Sequence, residues 1–130
     1  MATLTPTLSI KSTDAFSDEL NFSVTDSLSV KAPSQSLSTV IAGTGGGDTI
    51  IKTATTNTVY LFVRHTGTTD GSTGTAHQLD VETTAHEGIA RLKANEWLFM
   101  PFSHSAASVG IQLQTTSGSI QAEFAYWTQV

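Results

Sequence analysis

Cysteine is absent from the 130 residues, so the chain forms no disulfide and has no thiolate for metal binding or catalysis. Charge is scarce as well. Asp, Glu, Lys and Arg make up 13% of the chain, about half the usual share of a soluble domain. Six basic residues face eleven acidic ones, and the resulting net charge of −5 argues against a nucleic-acid partner. Long apolar runs are missing too. None approaches the roughly 20 residues that cross a bilayer, so no membrane partner is expected. Met1-Ala2-Thr3-Leu4-Thr5-Pro6 has neither the basic nor the apolar region of a secretory signal. The expectation is a chain made in a cytoplasm without a signal peptide. Sustained helical periodicity with a cap at each end is also lacking.

Threonine and serine fill the space, with 22 and 15 residues. Thr is β-branched and suits half-exposed strands, while Ser suits turns. A surface kept soluble by hydroxyls repels a neighbouring copy only weakly, which suits a protein packed in an assembly. The longest large apolar run is Thr58-Val59-Tyr60-Leu61-Phe62-Val63-Arg64. On a strand, Val59, Leu61 and Val63 share one face, and Tyr60 and Phe62 share the other. Neither face suits water. The run therefore predicts a central strand whose second face lies under a sheet, a loop or another subunit. Trp97-Leu98-Phe99-Met100 is a second two-faced run, with Pro101 limiting its pairing.

Residues 1–34 hold short alternating pieces, Leu8-Ser9-Ile10, Leu20-Asn21-Phe22-Ser23-Val24 and Leu28-Ser29-Val30, separated by Asp, Ser and Thr turns. Terminal strands this polar are suited to pairing with a neighbouring subunit. Residues 35–130 carry the remaining strands. Val109 to Gln114 and Ser119 to Trp127 read as a closing hairpin, with Ile120, Ala122, Phe124 and Tyr126 as the apolar face of its second arm. The expected fold is all-β: a single-domain antiparallel β-sandwich or jelly-roll-like barrel of about seven to nine strands, with 1–34 as an extended N-terminal arm and 35–130 as the core.

Chemistry is thinly represented. The glycine loop Gly43-Thr44-Gly45-Gly46-Gly47 is followed by Asp48 where a phosphate-binding loop needs Lys, so it reads as a surface loop. His65, His77, His86 and His104 show no short ligand spacing, and with Asp70, Asp80 and Glu82 they make no recognisable zinc or calcium motif. They read as rim residues, with His65 placed to report pH through an interface. Ser103-His104-Ser105 cannot be a triad, because neighbours on a strand point apart, and no nucleophile elbow occurs. Asp80 and Glu82 share one strand face and read as a solvated pair rather than glycosidase acids. No catalytic, cofactor or metal residue is therefore assigned. The aromatics are the candidate site: Tyr60, Phe62, Trp97, Tyr126 and Trp127 are expected to form a subunit interface. The polar loop 66–75 is expected to be either functional or mobile.

Four stretches, "MATLTPTLSIKSTDAFSDELNFSVTDSLSV", "NTVYLFVRHTG", "LDVETTAHEGIARLKANEWLFMPF" and "VGIQLQTTSGSIQAEFAYWTQV", resemble a group of small proteins in marine tailed bacteriophages. The resemblance implies a virion protein, many copies of a β domain on the capsid or near the tail. The expected function is non-enzymatic: a capsid decoration or cement protein that forms a homo-oligomer, a dimer or trimer, and binds the major capsid protein or other virion proteins. The alternative is a tail- or fibre-associated module that binds host-surface glycan through loop 66–75 and exposed aromatics.

Overall fold

The computed structural model describes residues 1–15, 17–31, 37–44, 49–53, 57–106 and 108–130, with the side chain of Ile50 left aside. Most of the glycine loop at 43–47 therefore lies outside the described residues. Twelve strands occur among the described residues, more than the sequence predicts because the N-terminal pieces and the sheet edges are short. They are β1 (Ala2–Leu4), β2 (Thr7–Ser12), β3 (Leu20–Thr25), β4 (Leu28–Val30), β5 (Ser38–Ala42), β6 (Thr49–Lys52), β7 (Val59–His65), β8 (Leu79–Thr83), β9 (Gly88–Leu92), β10 (Trp97–Phe102), β11 (Ile111–Thr115) and β12 (Ile120–Thr128).

Strands β5 to β12 form two antiparallel sheets, in the orders β10-β7-β12-β5 and β6-β11-β8-β9. Their pairings are nested. β8 pairs with β9, β7 with β10, β6 with β11 and β5 with β12, as if one long hairpin had been rolled up. The roll is sealed by two further pairings, β12 with β7 and β11 with β8. This is the winding of a jelly roll. It remains a sandwich of two open sheets and not a closed barrel. The closing hairpin expected at the C-terminus is not formed. β11 and β12 lie in opposite sheets, and the turn between them crosses the sandwich. Each strand turns its alternate apolar residues to the same core from its own side, so the alternation matches that of a hairpin.

The core lies between the sheets. Val59, Leu61 and Val63 from β7, Leu79 and Val81 from β8, Ile111 and Leu113 from β11, and Ile120 from β12 are fully enclosed. Burying each such side chain contributes about 1.5–3 kcal/mol. Truncating one, as in Leu61→Ala, costs about 2–5 kcal/mol because a cavity is left behind.

The N-terminal pieces do two different things. β1 and β4 pair with each other, and β4 joins the end of β12 through a bridge from Val30 to Gln129. Val30 is buried there. β2 and β3 form a separate two-stranded ribbon that, among the described residues, pairs with no other strand. Almost every residue of this ribbon is exposed.

Candidate functional site: an aromatic sheet face beside a projecting ribbon

The outer face of the β10-β7-β12 sheet follows from strand register. Directly opposed residues lie on the same side of a sheet. Pro101, Tyr60 and Trp127 form one row across three strands, Phe99, Phe62 and Ala125 the next, and Trp97, Arg64 and Glu123 the third. Five aromatic rings therefore share one outward face. Tyr60 stacks on Phe99 with ring centroids 6.1 Å apart and planes 10° from parallel. Phe99 meets Trp127 at 6.4 Å and 53°. These are the offset and tilted geometries that aromatic pairs favour. Trp97 ends the array and is 51% exposed. Arg64 and Glu123 form an exposed ion pair at 3.3 Å beside it.

A groove of about 540 Å³ runs along this face. Tyr60, Trp97, Phe99 and Pro101 form its floor, and the root of the ribbon, through Leu8 and Val24, forms a wall. Beyond Trp97 the surface continues into a shallower depression lined by Phe62, Arg64, Asn95 and Trp97. The ribbon has its own apolar side. Leu8 opposes Val24, Ile10 opposes Phe22 and Ser12 opposes Leu20. Leu8, Ile10, Phe22 and Val24 are 38%, 44%, 45% and 49% exposed.

Four of the five residues expected from sequence, Tyr60, Phe62, Trp97 and Trp127, are brought together on this face. Tyr126 is not among them. It lies opposite Leu61 on the inner side and packs against the core, with the Lys52 ammonium 5.2 Å from its ring centre. Consecutive residues of a strand cannot share a face, so Tyr126 and Trp127 had to separate. Burial holds the Lys52 ammonium below its usual pKa. Phe99, absent from the expected set, stands in contact with both Tyr60 and Trp127. Its two-residue spacing from Trp97 is the signal that would have found it.

The polar candidates are engaged elsewhere. His65 is not a rim or interface residue. It is fully buried on the inner side of β7, with Nε2 3.0 Å from the His77 carbonyl and Nδ1 accepting the Gly67 N–H at 2.9 Å. One neutral tautomer, protonated at Nε2, satisfies both bonds. Gly67 needs its freedom there: φ is +82° and a Cβ would come within 2.9 Å of the Asn95 side chain. Loop 66–75 is tied down. Thr66 donates from Oγ1 to the Gln121 carbonyl at 2.8 Å, and Gln121 N–H donates to the Thr68 carbonyl at 2.8 Å. Asp70 folds the loop tip by accepting N–H bonds from Thr73 at 2.7 Å and Ser72 at 3.0 Å. Those bonds, Thr73 first, lower the Asp70 carboxyl to a pKa of about 2.

Asp80 and Glu82 do share the outer side of β8, but they do not form an acid pair. Arg91 clamps Asp80 through Nε at 2.5 Å and a second nitrogen at 3.2 Å, and this contact raises the guanidinium's own pKa. Glu82 is buried and accepts the Gln112 amide at 2.7 Å, with His86 Nδ1 at 3.1 Å. His104 Nδ1 accepts the Ala106 N–H at 3.0 Å and does not serve Ser103 or Ser105 as a base. Among the described residues no three of His, Asp and Glu are grouped to hold a metal. No family model, curated protein or solved structure matches the chain.

Proposed function

We propose that the protein is a non-enzymatic structural subunit of a bacteriophage virion, a capsid decoration protein that works as a homo-oligomer on the head surface. One observation carries this reading: five aromatic rings on a single outward sheet face, with the apolar side of a projecting ribbon next to them. Contiguous apolar surface of this kind marks a site of association. Aromatic residues, Trp and Tyr above all, supply much of the binding energy at such sites. The sequence resemblance to small marine phage proteins adds the setting. The jelly-roll winding is consistent with it, since capsid domains use that architecture, although lectins share it and the fold alone decides nothing.

The half-exposed Trp97 beside the groove favours a second reading, a tail or fibre module that stacks host glycan. Loop 66–75 would not serve it directly, because the hydroxyls of Thr66 and Thr68 are committed to Gln121 and those of Ser72 and Thr73 to Asp70. The deciding measurement is the protein's position and copy number in a cryo-EM map of the virion. Many copies on the head lattice are expected. A few copies at the tail, together with saturable binding to host polysaccharide, would overturn the decoration reading in favour of the second.

A further inference from the structure

We infer that the β2–β3 ribbon of one copy lies along the aromatic groove of a second copy, so that each groove is completed by its neighbour's arm. The inference rests on the reading that the protein is a self-associating subunit, and it specifies the contact. A two-stranded ribbon alone is marginally stable in water and needs a third layer on its apolar side. Leu8 and Val24, at the ribbon's root, find part of that layer in their own chain, since they line the groove with Tyr60 and Phe99. Ile10 and Phe22, further out, remain 44% and 45% exposed. The apolar side of the ribbon thus begins on one groove and continues past it.

Three features make a second copy the fitting occupant. The first is length. Each ribbon strand has six residues, as does β10 along the groove, so both run roughly 20 Å. The second is chemistry. Branched and aromatic side chains at Ile10 and Phe22 would meet Tyr60, Trp97 and Phe99 in a groove whose one charged lining residue, among the described residues, is Asp26 at the ribbon's root. The third is charge. The ribbon's far end carries Asp14, Asp18 and Glu19 against Lys11. The depression beyond Trp97 is lined by Arg64, which spends one guanidinium nitrogen on Glu123 at 3.3 Å and, with its side chain 45% exposed, keeps its other donors open to a second carboxylate. An arm seated on Trp97 brings its acidic tip toward Arg64 of the partner subunit. Because arm and groove belong to the same chain, two copies can exchange them reciprocally about a two-fold axis.

The test mixes two single-cysteine proteins, made simple by a chain with no cysteine of its own. One carries Asn21→Cys on the polar side of the distal ribbon, and the other carries Pro101→Cys at the groove. A bis-maleimide link between positions 21 and 101 in this mixture can only join different molecules. The mixed product is expected. It should disappear when Ile10→Asp and Phe22→Asp are added to the ribbon partner. The same two changes should weaken self-association, read by sedimentation, about a hundredfold or more. The thermal unfolding midpoint of the sandwich should stay where it is, since both positions lie outside the core, so a lost link cannot be mistaken for a lost fold. A monomer at the highest soluble concentration, or an oligomer giving no 21–101 link, overturns the inference. A monomer that still coats heads would sink arm exchange and leave the virion reading standing. An arm-linked oligomer absent from virions would do the reverse.

Discussion

The two sheets of the sandwich turn very different surfaces outward. On the β6-β11-β8-β9 side, polar groups find partners within the chain: Arg91 holds Asp80, and Gln112 and His86 enclose Glu82. On the β10-β7-β12 side, Phe99 meets Tyr60 and Trp127, Phe62 and Trp97 complete the outward face, and the root of the ribbon walls the groove along it. The first surface is complete in one molecule. The second keeps apolar area in reserve. Both faces belong to the same core, so the asymmetry separates what the chain needs to fold from what, on the proposed reading, it would offer to a partner.

That separation can be broken by substitution, and the largest effect should fall on the polar side. Gln112→Leu removes the amide that donates to the buried Glu82 carboxylate. It should cost about 2–3 kcal/mol of folding stability in urea titration, with association unchanged. A loss of association at constant stability would show that the polar face is an interface after all. Trp97→Ser should do the opposite. Its ring is half exposed, so folding should shift by less than about 0.5 kcal/mol, while association weakens about tenfold, equivalent to about 1.4 kcal/mol. Equal losses in both assays would erase the distinction between the faces. Arg91→Ala touches an exposed ion pair and should leave both the urea midpoint and the sedimentation profile nearly unmoved.

Acid gives the smallest and most local effect. Asp70 has its folded pKa lowered to about 2 from 3.8, so the loop's stabilisation is complete above 3.8 and fades as pH falls through about 2. Amide exchange at Ser72 and Thr73 should quicken across that window while core amides of β7 stay protected. Protection that is flat from pH 5 to about 2 would mean that the carboxylate does not hold the loop.

Much of this asymmetry is legible in the chain itself. Period-two alternation identifies the two-faced runs at 58–64 and 97–100, and it separates Val59, Leu61 and Val63 from Tyr60 and Phe62. It also marks the ribbon strands around Leu8-Ser9-Ile10 and Leu20 to Val24. Pairing across the molecule is not legible, because local periodicity is the same whichever strand lies alongside. For that reason β11 and β12 read as a hairpin although they lie in opposite sheets. Partners of single polar groups are hidden for a related cause. His65 reads as a rim residue from its place at a strand end. Only the return of Gly67 and His77 to its two ring nitrogens makes burial affordable. Loop 66–75 reads as either functional or mobile until Gln121, more than forty residues later, is found beneath it.

The nested winding also carries a schedule. The innermost pair, β8 with β9, closes over a turn of a few residues, whereas β12 must travel back from the end of the chain to meet β5 and β7. Loop-closure entropy favours the short-range pair first and the long-range pair last. Pulse-labelled exchange should record this as early protection at Val81 and Ala90 and late protection at Phe62 and Ala125. During synthesis the aromatic face is then complete only once Trp127 has left the ribosome, so shorter nascent chains lack it.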